Sequence, residues 1–170
     1  MRHVKGILIA LVVAVVGIFL LSLLMSQQLV LQKEVVVNAN VDSVFTYLSN
    51  HNNLTQWIGD LKGIETEDKG DGRMIFEGRD QGLYAIESNI ATNAKGVEFT
   101  YFKGEDVKAV FIYQARGADG QTVVSAVQHW DVGLNPFTKL LAYKTKDKSE
   151  EALENDLIAL KMQLEQSLKK

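Results

Sequence analysis

The sequence has no cysteine, one proline and three histidines in 170 residues. Without cysteine there is no disulfide, no thiolate nucleophile and no lipidated-cysteine anchor. One proline and 13 scattered glycines leave no low-complexity block, and no repeat of solenoid length occurs. Charge of one sign is also lacking: 21 acidic residues face 18 basic ones, for a net charge of -3. That balance gives no reason to expect a nucleic-acid partner. The metal-binding spacings HExxH, CxxC and His-x-His are absent, and no glycine-rich loop has the strand–glycine–helix setting of a phosphate site. The sequence thus calls for no metal and no cofactor.

What is present begins with Ile7 to Met25, ILIALVVAVVGIFLLSLLM, which carries no charge. As a helix it spans about 28 Å, close to the hydrocarbon thickness of a bilayer. Apolar residues occur all round it, which argues against a core helix with one wet face. Arg2, His3 and Lys5 precede it, and the first charges after it are Lys33 and Glu34. The positive-inside rule then places the N-terminus in the cytoplasm and the rest of the chain across the membrane. A cleaved signal peptide would have a shorter apolar region and a small-x-small site, whereas this run ends Leu23-Leu24-Met25-Ser26-Gln27. The reading is a flank and transmembrane helix over 1–27, retained in the mature chain, and one domain over 28–170. About 145 residues suffice for one core held by burial alone.

Within that domain, 29–37 (LVLQKEVVV) reads as a strand. Asn40 is placed to cap a short helix over 41–50, and Asn52 or Asn53 to cap a second one. From residue 60 onward, alternating segments near 61–67, 72–77, 83–92, 96–103, 106–115 and 121–131 are separated by turn sequences, as in an antiparallel meander. Val97, Phe99 and Tyr101 share a face; so do Val107, Ala109, Phe111 and Tyr113, and Tyr84, Ile86, Ser88 and Ile90. A long amphipathic helix starts at about Ser149, its cap, with Leu153, Leu157, Leu160, Leu164 and Leu168 in one stripe and Lys169 and Lys170 at its C-terminal end. A sheet with one apolar face and a helix with one apolar stripe bury each other, which gives an α+β class.

Three segments in this order resemble the START-like (SRPBCC) superfamily, in its polyketide cyclase/dehydrase branch. The first is VVVNANVDSVFTYLSNHNNLTQW (35–57), with Ala39, Val44, Phe45, Asn52 or Asn53, and Trp57 at the matching positions. The second is GLNPFTKLL (133–141). The third is ALENDLIALKMQLEQ (152–166), with Leu157, Leu160, Lys161 and Glu165. Two features depart from the pattern: no proline lies near position 40 or 41, and the tryptophan usual near Ala126 is here Trp130. The resemblance covers about 29–168. It implies a helix-grip fold, in which a curved antiparallel sheet of six or seven strands wraps a long C-terminal helix. It also implies a cavity for a hydrophobic small molecule or lipid, and it makes a bacterial inner membrane the natural setting, with the domain outside the cytoplasm.

The candidate cavity residues are Trp57, Phe76, Tyr84, Phe99, Tyr101, Phe111, Tyr113, Ala126, Gln128, Trp130 and Leu157. Each aromatic serves equally well as plain core. Gln128 shares a row with Val124, Ala126 and Trp130 and needs a partner if buried. No catalytic set is evident; His129, Glu87 and Tyr101 are the nominees for an acid or base. The run Lys139, Lys144, Lys146 and Lys148 is either a solvated loop or a contact for anionic headgroups. Three readings stand: a membrane-anchored, non-catalytic binder of a hydrophobic molecule; a cyclase, dehydrase or hydrolase using the same cavity; and a protein-interaction module with a filled core.

Overall fold

A computed structural model describes residues 2–118 and 120–167. Helix α1 (Arg2–Leu23) is long and apolar enough to cross a membrane, and it is exposed along nearly all its length. Strand β1 (Gln28–Val37) and helices α2 (Val41–Ser49) and α3 (Leu54–Trp57) come next. Six more strands follow: β2 (Thr66–Asp68), β3 (Arg73–Glu77), β4 (Leu83–Ala91), β5 (Gly96–Lys103), β6 (Asp106–Ala118) and β7 (Gln121–Asp131). Helices α4 (Pro136–Lys144) and α5 (Lys146–Ser167) close the chain.

All strands join one antiparallel sheet in the order β1-β7-β6-β5-β4-β3-β2. Leu153, Leu157, Leu160 and Leu164 of α5 are all buried against it. Each such leucine contributes about 1.5–3 kcal/mol of burial. Polar contacts fix the helix to β1 at two levels: Lys33 pairs with Glu154 at 2.9 Å, and the Asn38 N–H donates to Glu165 at 3.0 Å. The α+β helix-grip arrangement expected from the sequence is therefore what the chain adopts. Leu168, Lys169 and Lys170 lie outside the described residues, as do Met1 and Asp119.

Several local expectations are corrected. The segment 61–67 is not a strand; only Thr66–Asp68 pairs. Ile58, Leu61 and Ile64 recur every third residue, and successive turns (Leu61 N–H to Ile58 O, Ile64 N–H to Leu61 O) put Ile58 and Leu61 in the core. Asn40 does cap α2, accepting from the Ser43 N–H at 2.8 Å. At the next turn it is Asn50, not Asn52 or Asn53, that accepts, from the Asn52 N–H. Helix α5 begins at Lys146, and Ser149 is no cap: its hydroxyl donates back to Thr145 O within the first turn. Helix α4 was not expected. Asn135 accepts from the Phe137 and Thr138 N–H groups and Pro136 occupies the first turn, a start signal present in the sequence. Val107 leaves the face of Ala109, Phe111 and Tyr113 and is exposed, because the β5–β6 register shifts at Tyr101/Phe102.

Candidate functional site

The pairing register orders the concave face into rows. Ile86, Tyr101, Ala109, Trp130 and Leu29 form the row nearest one end of the sheet. Ser88, Phe99, Phe111, Gln128 and Leu31 form the next; Ile90, Val97, Tyr113, Ala126 and Lys33 the third. The end beyond the first row gathers the β3–β4 and β5–β6 hairpins, the last residue of β7 and the first of β1. Gln28 stands there opposite Asp131, a few residues after α1 stops.

A cavity of about 350 Å³ opens at this end. Its walls are apolar: Leu61, Phe76, Tyr84, Tyr101 and Trp130. Phe76 stacks on Tyr84 with centroids 5.5 Å apart and meets Tyr101 edge-on at 6.3 Å. Phe111 continues the belt, 4.4 Å from Tyr101 and 5.2 Å from Trp130. A Cβ at Gly78 would lie 2.3 Å from the Tyr84 ring, so any larger residue there would push that ring from its place in the wall. Three larger hollows, of about 670, 640 and 440 Å³, have more polar walls: one between the ends of α1 and α4, one along the β2–β3 edge, and one beside α2.

The rim is charged but balanced. Arg79 reaches across the mouth to Asp60 at 2.6 Å. Asp80 accepts from the Tyr84 hydroxyl at 3.0 Å and from the Gly82 N–H, and it pairs with Lys103. The Lys103 ammonium, with the Tyr84 hydroxyl, holds the Asp80 carboxyl down at about 2. Lys108 pairs with Asp106 at 3.2 Å. Such a rim has no net sign with which to recruit an ion, so selection falls to the apolar wall.

Of the eleven sequence candidates, Phe76, Tyr84, Tyr101 and Trp130 line the cavity. Trp57, Phe99, Tyr113, Ala126 and Leu157 are fully packed deeper in the core, with Trp57 edge-on to Tyr113 at 5.1 Å. Phe111 lies behind the wall, and Gln128 accepts from the Trp130 indole N–H at 3.2 Å. The hydroxyls of Tyr101 and Tyr113 and the Trp57 indole N–H are buried with no hydrogen-bond partner among the described residues. Burial pushes both phenols well up, so they stay protonated donors.

The acid–base nominees part company. His129 alternates with Gln128 and Trp130 and so faces the outer side of β7, paired between Val30 and Val110. Glu87 is exposed beside Arg73 at 3.5 Å. Tyr101 alone reaches the cavity. The titratable group that sequence reasoning missed is Asp156. It falls three residues after Leu153 and four before Leu160, on the buried stripe, and that spacing was the signal. Burial raises its carboxyl to about 6; the Gly59 N–H, donating at 2.8 Å, opposes the rise and nearby Asp60 adds to it. No group of three or more metal-ligating side chains occurs among the described residues.

The basic run is no loop. Lys144 ends α4, while Lys146 and Lys148 open α5. Lys139 is buried and donates to the Ser22 and Met25 carbonyls.

No family model matches the chain, and no curated protein matches it. Solved structures do. The Zhui aromatase/cyclase from Streptomyces sp. R1128 superimposes with a TM-score of 0.61 at 12% identity, over 83% of this chain and 96% of its own. A START superfamily protein from Mycobacterium smegmatis gives 0.56 at 16% identity, over 81% and 97%. A protein from Thermus thermophilus gives 0.62 at 12% identity, over 82% and 99%. At such identities the likeness establishes the fold: the chain has the START-like, helix-grip architecture.

Proposed function

We propose that this START-fold chain is a membrane-anchored, non-catalytic binding protein that takes a small hydrophobic molecule into its cavity at the bilayer surface. One observation carries the reading: the apolar-walled cavity opens at the end of the sheet that receives α1. The span Lys5–Leu23 is the anchor, with the N-terminus cytoplasmic and the domain on the far side, in a bacterial inner membrane. A tethered mouth samples the membrane at high effective concentration. The short connection, Leu24 to Gln27, suits local extraction or presentation rather than long-range transport.

Size narrows the ligand. At about 30 Å³ per water- or methylene-sized group, a cavity of about 350 Å³ holds roughly a dozen. A single-chain amphiphile or a small ring system fits; a whole two-chain lipid does not. Tyr101 lines the wall, but its hydroxyl is buried away from the surface, so the wall offers a ligand apolar contact. Binding is favoured over catalysis because Asp156 is committed to the Gly59 N–H and does not line the cavity, and because His129 and Glu87 face elsewhere.

The test is native mass spectrometry of the full chain released from lipid nanodiscs, beside a Lys108→Trp variant whose new ring blocks the mouth from a rim position. The expected result is a reproducible extra mass, smaller than a phospholipid, that the variant loses. A bare mass for the parent chain, or an adduct that the variant keeps, sinks the reading.

A further inference from the structure

Helix α4 presents three large apolar side chains to solvent on one side: Leu134 just before it is 74% exposed, Phe137 60% and Leu141 62%. Phe137 and Leu141, at i and i+4, share one stripe of the helix, and Leu134 stands exposed just before its extended N-cap Asn135. Other large apolar residues of the domain are exposed too, among them Val36, Leu83 and Met162, but Leu134, Phe137 and Leu141 crowd into eight residues, and such a cluster marks a surface with a non-aqueous neighbour.

The opposite side of α4 says which neighbour. Lys139 is only 5% exposed, and its ammonium donates to the carbonyls of Ser22 at 3.3 Å and Met25 at 3.1 Å. Ser22 lies in the last turn of α1, where its carbonyl also accepts from the Met25 N–H at 3.2 Å, and Met25 lies just past the helix, so the negative end of the α1 dipole faces the lysine charge. The bond fixes α4 at the level where α1 ends. If α1 spans a bilayer, that level is its interface. Lys144 and Lys148, both exposed, follow the apolar stripe toward α5, as basic residues do beside an inserted apolar face. Leu83 and Val107 add two exposed apolar side chains among the paired charges of the hairpins at the mouth end of the sheet.

We infer that α4 is a second membrane attachment, lying in the bilayer interface with Leu134, Phe137 and Leu141 among the acyl chains, and that Lys139 is the joint locking it to the anchor. The domain is then held in one orientation, mouth to membrane, rather than swinging on a tether. The inference rests on the reading of α1 as a spanning helix, and the experiment separates the two.

The chain has no cysteine, so single cysteines can be introduced into the full-length protein and spin-labelled. Val12→Cys reports on the anchor, Phe137→Cys and Leu141→Cys on α4, and Ile158→Cys on the exposed side of α5. The variants are reconstituted in vesicles of phosphatidylcholine with phosphatidylglycerol. Collision with oxygen is then compared with collision with a water-soluble nickel chelate. The expected result is a label buried in the bilayer at 12, interfacial values at 137 and 141, and an aqueous value at 158. A buried label at 12 with 137 and 141 as aqueous as 158 overturns the inference and leaves the anchor standing. An aqueous label at 12 removes the anchor and the inference together. Dipolar broadening between labels at 137 that grows with protein density identifies a second copy as the occupant and also overturns it.

Discussion

The concave face of the sheet has two halves built from the same kinds of residue. In the deep half, Phe99, Tyr113 and Ala126 are sealed under α2, α3 and α5, with Trp57 of α3 packed edge-on to Tyr113. In the mouth half, Phe76, Tyr84, Tyr101 and Trp130 carry rings of the same sizes but have loops and two hairpins opposite them, and a cavity of about 350 Å³ remains. What separates packing from lining is therefore not the side chain but what the chain brings over it. The polar groups divide the same way. Inside, burial raises Asp156 and leaves the Tyr113 hydroxyl and the Trp57 indole N–H without partners among the described residues; at the rim, every carboxylate of Asp60, Asp80 and Asp106 is paired with a cation.

Truncation on either side gives the largest test of this division. Phe99→Ala removes a fully buried ring and costs about 3–5 kcal/mol. Tyr84→Ala removes a half-exposed ring and costs about 1 kcal/mol, an ordinary substitution. Ligand retention reverses the ranking: Tyr84→Ala opens the mouth and loses the adduct, while Phe99→Ala keeps it under conditions where it stays folded. Urea unfolding of the full chain in detergent, with the retained mass measured beside it, checks both. Equal costs for the two would mean that the halves are one continuous core.

How much of this is legible in the sequence follows from the same contrast. Strand existence and facing come from alternation, because each period-two row meets a dry or a wet side, and Val97, Phe99 and Tyr101 are buried together as alternation requires. The stripe from Leu153 to Leu164 is as plain. Cavity membership is not, because a ring that lines and a ring that fills have the same pattern along the strand. It depends on the loop 58–64, whose period of three passes for a strand in so short a segment, and on Gly78, which lets Tyr84 lie flat on the backbone. Helix α4 escapes a search for periodicity although Asn135-Pro136 announces it, and the basic run does not act as a unit, since Lys139 turns inward and its neighbours turn out.

The next effect is smaller and is read in pH. A carboxyl whose folded pKa is raised holds its proton more tightly when folded, so the stability it lends is full below the unfolded value and is lost as pH rises through the folded one. For Asp156 that window runs from about 4 to about 6. Asp80, held down at about 2, has the opposite slope: its contribution is present above about 4 and fades toward 2. Asp156→Asn keeps an acceptor for the Gly59 N–H, so it flattens the upper window and adds about 1 kcal/mol at pH 7, a figure reduced from the full shift because solvent reaches part of the carboxylate. Unfolding midpoints between pH 4 and 7 for the parent chain and the variant decide it. An unchanged slope would mean that Asp156 titrates as it does in the unfolded chain.

The smallest effect on stability carries the most information about how the halves communicate. Asp60 sits on the rim, bonded to Arg79, and its charge also helps raise the Asp156 carboxyl inside. Asp60→Asn breaks an exposed ion pair and so changes stability by no more than about 0.5 kcal/mol. Two other readouts move. With the Arg79 arm released, the mouth loses its strap, and bound ligand exchanges faster at unchanged stability. With one negative charge gone, Asp156 ionises more readily, and the upper pH window shifts toward lower values. If exchange quickens and the window stays put, the strap is mechanical and the interior is electrically separate from the rim. If the window shifts and exchange does not change, Arg79 is ornamental to the mouth, and the rim acts on the interior through charge alone. Both together make Asp60 the one residue through which the open half of the grip is felt by the closed half.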